Sequence, residues 1–203
     1  MKIVGISCSP REESTTTLAL QAALAAAKRR EPDTDTQLIE LAGLDVGGCT
    51  GCGRCTRGLE CSRDDDFTRS VVPALVTPDL AGVIVGSPVY LGSMVSQCKA
   101  FLDRTVMLRR NGFLLRNRVG AALAVGGVRS GGQELTLQAI HAAMLCHDMV
   151  VVSDGEPTAH FGGSLWSGCA GGIAGDEIGL ETARNLGGRV AQVAACLSEA
   201  ARG

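Results

Sequence analysis

Short apolar segments alternate with longer segments of helical character along the whole chain. The most apolar of them, Leu80–Gly86, is almost continuous in hydrophobic residues, which is typical of a strand buried on both faces of a parallel sheet. This alternation predicts an α/β fold with a doubly wound, five-stranded parallel sheet. The predicted strands are Lys2–Ser7, Gln37–Leu41, Leu80–Gly86, Val119–Val125 and Met149–Ser153. The predicted helices are Thr15–Arg30, Phe67–Val76, Ser93–Leu108, Gly131–His147 and Asp176–Ala201.

Length and charge restrict the classes of function. The 203 residues fit a single domain over 1–203, and the net charge of −2 with 3% aromatic residues argues against nucleic acid as a partner. No apolar run approaches the roughly 20 residues of a membrane helix, and the start of the chain has no basic region of a signal peptide. We therefore expect no membrane partner and a cytoplasmic location. In that reducing compartment, nine cysteines indicate metal or redox work rather than a disulfide framework.

Three loops rich in Gly, Ser and Pro follow the first, third and fourth predicted strands. They span Ser7–Thr16, Ser87–Ser93 and Gly126–Gly132. Ligands of doubly wound sheets bind at the carboxyl ends of the strands, so these loops are the expected binding edge. Hydroxyl groups and backbone N–H groups of the first loop precede a helix and suit an anion, and Arg11 adds a cation. A single phosphomonoester fits this loop; the alternative is that Ser14 and Thr15 only cap the helix.

A cysteine-rich loop over residues 43–66 follows the second predicted strand. Cys49, Cys52 and Cys55 are separated by two residues each, and Cys61 follows after five more. Such spacing lets four thiolates surround one [4Fe–4S] cluster. A zinc site and a metal-free set of thiols are the alternatives, although zinc ligands usually come as two separated Cys-x-x-Cys pairs. The acidic run Asp64–Asp66 is interpreted as a solvated helix start.

The motifs of the three loops resemble those of a known family. They are Ser7-x-Ser9-Pro10-Arg11-x-x-Ser14, the run Ser87–Met94 with Lys99 and Asp103-Arg104, and Gly126-Gly127 with Gly131-Gly132-Gln133-Glu134. In chain order they resemble the flavodoxin-like NAD(P)H-dependent FMN reductases, and the cysteine loop is similar to that of the iron–sulfur flavoprotein branch.

The resemblance implies that FMN is bound by all three loops. The phosphate would lie against Ser7, Ser9, Arg11, Ser14, Thr15 and Thr16. The isoalloxazine would lie along Pro88, Val89, Tyr90, Leu91, Gly92 and Ser93. Its third wall would be Gly126, Gly127, Val128, Arg129 and Gly132. The implied metal ligands are Cys49, Cys52, Cys55 and Cys61, holding a [4Fe–4S] cluster.

The expected function is electron transfer between a two-electron flavin and a one-electron cluster, because no residue pattern suggests a general base or a hydrolase. Expected redox partners are a ferredoxin or NAD(P)H, and the resemblance implies a homodimer or homotetramer in which electrons cross between subunits. Three alternatives stay open. The first is an FMN-dependent dehydrogenase or reductase of a small molecule such as a quinone, a peroxide or a biosynthetic ring acid. The others are a cluster-free NAD(P)H:FMN reductase and a non-catalytic binding module.

Overall fold

A seven-stranded sheet with helices on both faces forms the protein, as seen in a computed structural model that describes residues 1–200. The predicted helix end at Ala201 lies outside the described residues. The strands are β1 (Lys2–Ser7), β2 (Asp35–Glu40), β3 (Leu80–Tyr90), β4 (Ser93–Met94), β5 (Val119–Gly126), β6 (Val150–Val151) and β7 (Gly163–Trp166). The helices are α1 (Thr15–Arg30), α2 (Val72–Leu75), α3 (Ser96–Arg104), α4 (Val106–Arg110), α5 (Gln133–Leu145) and α6 (Glu177–Ala200).

The central strands are parallel and run in the order β2-β1-β3-β5-β6. Ser7 of β1 is in register with Gly86 of β3, and Gly86 is in register with Leu123 of β5. All eight residues of β5 are buried, as expected of a strand covered on both faces. This common register brings the carboxyl ends of the three central strands to one edge of the sheet.

Apolar residues on the two faces of the sheet form separate cores. On one face, α1 and α6 pack together against Ile3 and Ile84. Their crossing is close at Gly187, where a Cβ atom would lie 1.9 Å from the carbonyl oxygen of Ala23. On the other face, Phe67, Phe101 and the α5 residue Ile140 join the second core. The helices on both faces confirm the predicted α/β class.

The predicted five-strand count is wrong, because two further strands are present. Residues 93 and 94, predicted to begin a helix, pair antiparallel with Tyr90 and Val89, so that the helix begins only at Ser96. The expected last strand is reduced to the two residues of β6, and β7 takes its place beside Leu123–Gly126. Residues 163–166 lie in a predicted glycine-rich loop. Their strand lacks an alternating pattern because the chain approaches β5 closely: a Cβ atom at Gly162 would lie 2.4 Å from the carbonyl oxygen of Ala122.

Between β2 and residue 67 the chain is largely irregular. This segment contains the four clustered cysteines and one short 3-10 turn, Arg54–Thr56. After it, Phe67–Val71 forms a π-helical turn that continues into α2, within the helix predicted over Phe67–Val76. That the segment is an insertion into the fold stays a prediction, as does the single domain over 1–203. No helix among residues 1–200 has the length and apolar character needed to cross a membrane.

Candidate functional site

The loop after β1 is ordered by a chain of hydroxyl groups. Ser14 caps α1, since its Oγ accepts a hydrogen bond from the backbone N–H of Thr17 at 3.2 Å. Thr17 Oγ1 donates to Glu40 Oε2 at 2.8 Å, and Ser7 Oγ lies 2.9 Å from the same Thr17 Oγ1. Ser7 and Ser14 therefore have internal hydrogen bonds. Thr17 and Glu40 were not among the sequence candidates, because neither has a local motif that marks it.

The remaining candidate phosphate-binding residues of the first loop have polar groups that are free to contact an anion. Ser9 is buried, and its Oγ accepts a hydrogen bond from the backbone N–H of Arg11 at 3.1 Å, while the Arg11 side chain is exposed. Thr15 is half-buried at the start of α1. Thr16 is buried, and its Oγ1 has no hydrogen-bond partner. A buried hydroxyl without a partner at a helix N-terminus suits an anionic oxygen such as that of a phosphate.

The turn between β3 and β4 lies directly against the loop before α5. Residues 87–90 of the predicted loop Ser87–Ser93 continue β3 and Ser93 begins β4, so only Leu91 and Gly92 form the turn. A Cβ atom at Gly132 would lie 2.7 Å from the Cα of Gly92, and both glycines have positive φ, +103° and +75°. Leu91 also has a positive φ of 51° and is fully exposed, and Tyr90 is half-exposed. The backbone N–H of Cys8, in the first loop, donates to the carbonyl oxygen of Gly86, the residue that precedes the second predicted loop, at 2.8 Å. The structure thus brings all three predicted loops together.

Two side chains hold the loop from Gly126 to Gly132. Gln133 Nε2 donates to the carbonyl oxygen of Val128 at 2.7 Å, and Gln133 Oε1 accepts from the N–H of Gly131 at 2.8 Å. Trp166 Nε1 donates to the carbonyl oxygen of Gly127 at 3.1 Å, and the Arg129 guanidinium stacks 4.8 Å from the Trp166 ring. Sequence reasoning missed Trp166, which lies on the unpredicted strand β7. The only feature of the sequence that could have drawn attention to Trp166 is that it is the single tryptophan of the chain.

All four clustered cysteines line a single pocket, the cysteine pocket. Its wall also includes arginines from the loop and from the α3–α4 region. The lining residues that carry its chemistry are Cys49, Cys52, Cys55, Cys61, Arg63, Arg104 and Arg110. None of the residues of the three glycine-rich loops lines this pocket.

A buried ion pair ties the cysteine loop to α3. Arg104 Nη1 and Nη2 donate to the two carboxylate oxygens of Asp65 at 2.7 and 2.9 Å, and Nη1 also donates to the carbonyl oxygen of Gly47 at 2.8 Å. The guanidinium stacks 4.6 Å from the Phe67 ring. Burial would raise the pKa of Asp65, but hydrogen bonds and charge from Arg104, with a further hydrogen bond from Arg63, outweigh burial and lower it. The interpretation of Asp64–Asp66 as a solvated run is therefore wrong for Asp65, which is 2% exposed.

Polar contacts surround the sulfurs. The pKa of Cys52 is lowered to about 7 by two hydrogen bonds. The first is with Ser62, whose Oγ lies 3.0 Å from Cys52 Sγ, and the second comes from the backbone of Arg54. Arg110 Nη1 donates to Cys55 Sγ at 3.3 Å, and the backbone N–H of Arg63 donates to Cys61 Sγ at 3.5 Å. These contacts favour thiolates, the form in which cysteine binds metals.

The four cysteines supply the ligands that an iron–sulfur cluster requires. They come from one short segment and line a single pocket, and four thiolates are the usual ligand set of a [4Fe–4S] cluster. Buried Arg104 also has an Nε without a partner, which is available to a further acceptor in this pocket. Four cysteines around one pocket, with polar donors to their sulfurs, therefore fit a [4Fe–4S] cluster.

Comparison with known proteins agrees with this geometry. Residues 1–163 match the family described as NADPH-dependent FMN reductase. The chain belongs to this family. It is 46% identical over 193 residues to an iron–sulfur flavoprotein of Methanocaldococcus jannaschii, covering 95% of this chain and 97% of that protein. It is also 44% identical to an iron–sulfur flavoprotein of Methanosarcina thermophila, covering 92% and 93%. Within the family it therefore belongs to the iron–sulfur flavoprotein branch, as the sequence motifs predict.

Solved structures agree on the fold. A WrbA-like flavodoxin of Agrobacterium tumefaciens superimposes with a TM-score of 0.63 at 19% identity, covering 96% of this chain and 97% of that one. RosB, solved with a bound riboflavin-phosphate intermediate, superimposes with a TM-score of 0.71 at 15% identity, covering 98% and 81%. At these identities the likeness concerns the fold alone, and it confirms the flavodoxin-like class.

Proposed function

We propose that this member of the family is an iron–sulfur flavoprotein that transfers electrons between FMN and a [4Fe–4S] cluster. The observation that carries the proposal is the cysteine pocket, where Cys49, Cys52, Cys55 and Cys61 meet arginine side chains. FMN supplies two-electron chemistry when bound, and a cluster supplies one-electron transfer.

The FMN phosphate is assigned to the first loop. Thr16 Oγ1 is buried without a partner, and the N-terminus of α1 with the Arg11 side chain favours an anion there. Ser9 and Thr15 add hydroxyl groups at the same place, whereas Ser7 and Ser14 hold the loop in shape. The loop at Pro88–Ser93 and its neighbour at Gly126–Gly132 would hold the isoalloxazine, and their mutual contact at Gly92 supports this assignment.

The cluster is assigned to the four cysteines. The lowered pKa of Cys52 and the N–H donors to Cys55 and Cys61 favour the thiolates that irons require. Glycines at 51 and 53, with φ of +67° and +76°, let the backbone turn between the first three ligands.

The proposed electron path runs between subunits of a homodimer or homotetramer. Such a path requires a second copy of the chain beside the flavin loops. Exposed apolar side chains at Leu91, Val128 and Leu135, on and beside the flavin loops, are suited to burial by such a copy. The expected partner in electron exchange is a ferredoxin or NAD(P)H, in the cytoplasm.

The experiment is anaerobic purification followed by visible spectroscopy with iron and sulfide analysis. We expect flavin absorbance, a broad cluster absorbance, and iron and sulfide in equal amounts. Cys52→Ala should lose the cluster absorbance and retain FMN, whereas Cys196→Ala, at an exposed cysteine of α6, should retain both. Arg11→Ala should weaken FMN binding without loss of iron.

Two results would contradict the proposal. If the protein showed no flavin absorbance after reconstitution with FMN, the proposed FMN binding would be excluded. Unchanged iron content in Cys52→Ala would show that the ligand assignment is wrong.

A further inference from the structure

Arg110 differs from the other arginines of the cysteine pocket in its charge balance. Arg104 is paired with Asp65 at 2.7 Å, and Arg63 Nε lies 3.3 Å from the same carboxylate. Arg110 forms no ion pair with any carboxylate among residues 1–200; its Nη1 donates instead to Cys55 Sγ at 3.3 Å. Its positive charge in the pocket is therefore not offset by an acidic side chain.

The backbone at Arg110 is held beside the cysteines by the end of α4, and the Arg110 side chain is exposed. The next residue, Asn111, uses Nδ2 to donate to the carbonyl oxygens of Cys55 at 3.1 Å and Gly58 at 3.2 Å. The same Nδ2 lies 2.7 Å from the carbonyl oxygen of Met107 in α4. Arg110 lines the same pocket as all four cysteines and contacts the sulfur of Cys55 directly.

We propose that Arg110 sets the reduction potential of the cluster, which is the one assigned to these cysteines under the proposed function. Reduction adds one negative charge to a centre held by four thiolates. A cation that donates a hydrogen bond to a ligand sulfur stabilises the more negative state, and so raises the potential. Arg104 and Arg63 share the single negative charge of Asp65, which offsets one of their two positive charges, whereas no carboxylate offsets the charge of Arg110. Arg110 acts through Cys55 as a positioning residue of the electron-transfer site.

The test is a redox titration of the cluster, followed by electron paramagnetic resonance, in wild type and in Arg110→Gln, Arg110→Lys and Arg109→Gln. Arg109 is the matched control: it is the neighbouring arginine on α4, and its guanidinium stacks 5.3 Å from the Phe113 ring. We expect Arg110→Gln to lower the potential, changing the reduction equilibrium by up to about tenfold, ~59 mV for a one-electron couple. Arg110→Lys should stay near wild type, and Arg109→Gln should be unchanged.

Iron, sulfide and FMN content are measured in every variant, so that the outcomes are distinct. Wild-type protein that binds no iron after reconstitution contradicts the proposed function itself. An iron-loaded Arg110→Gln variant with the potential of Arg109→Gln overturns the role of Arg110 and leaves the proposed function intact. A lysine variant that behaves like the glutamine variant overturns the role of charge. If Arg110→Gln and Arg110→Lys both fail to load iron, Arg110 serves assembly and the inference is wrong.

Discussion

Replacement of Asp65 by asparagine should destabilise the fold far more than a similar change at its neighbours. The Asp65 carboxylate accepts hydrogen bonds from Arg104 at 2.7 and 2.9 Å, and both side chains are at most 3% exposed. Asp65→Asn leaves the buried guanidinium of Arg104 without its counter-charge. Breaking a buried pair in this way costs about 3–5 kcal/mol. Because the carbonyl oxygen of Gly47 still accepts from Arg104, we expect the lower end, about 3 kcal/mol.

The assay is anaerobic denaturation of the reconstituted protein, together with a thermal scan. For a chain of this size, a loss of about 3 kcal/mol lowers the melting temperature by roughly 6–12 °C. Asp64→Asn is the control, since Asp64 is 89% exposed and pairs with Arg69 at 2.9 Å; it should cost less than about 1 kcal/mol. A double variant, Asp65→Leu with Arg104→Met, should be more stable than Asp65→Asn because no unpaired charge stays buried.

Equal unfolding free energies for Asp65→Asn and Asp64→Asn would refute the reasoning. That result would mean that the ion pair does not hold the cysteine loop against α3. Iron content is measured alongside, so that loss of stability can be separated from loss of the proposed cluster.

Two further predictions concern the flavin loops and the pH dependence of stability. Gly132→Ala should weaken FMN binding at least about tenfold in a flavin fluorescence titration, since its φ of +103° is strained for alanine and the new Cβ would meet the Gly92 backbone. The control is Gly188→Ala in α6, outside the flavin loops, where a Cβ would meet nothing within 4 Å; it should bind FMN like wild type. Burial, and to a lesser extent the charge of Arg109, lowers the pKa of His147 in the folded protein. The neutral imidazole therefore contributes stability above the pKa of about 6.5 that histidine has in the unfolded chain. This contribution is lost as the pH falls through the lower pKa of the folded state. Denaturation from pH 7.5 to 5 should therefore show falling stability, with a smaller fall in His147→Gln; the same slope in both proteins would be the contrary result.

Elements with a strong local pattern were predictable from the sequence. The strand β1 and the helix α1 have the predicted bounds, because a buried apolar strand and a capped helix with basic residues at its end are recognisable locally. The four cysteines were found by spacing alone, and they do line one pocket. The strand β7 was missed because glycines that allow close contact with β5 remove the alternation on which strand prediction depends.

Interactions between distant residues were not predictable. Asp65 and Arg104 are 39 residues apart, and an acidic triplet gives no sign of which carboxylate is buried. Thr17 and Glu40, 23 residues apart, likewise meet only because β1 and β2 are neighbours in the sheet. For both pairs the sequence presents ordinary polar residues, and only the tertiary fold gives them a structural role.

Because β6 and β7 pair with different parts of β5, this edge of the sheet is a poor site for pairing with a strand of another molecule. The outer side of β5 is covered by two separate strands of two and four residues, and the chain leaves the sheet between them. An intruding strand from another molecule would find no continuous row of backbone donors and acceptors there, so growth into an extended intermolecular sheet is blocked on this side.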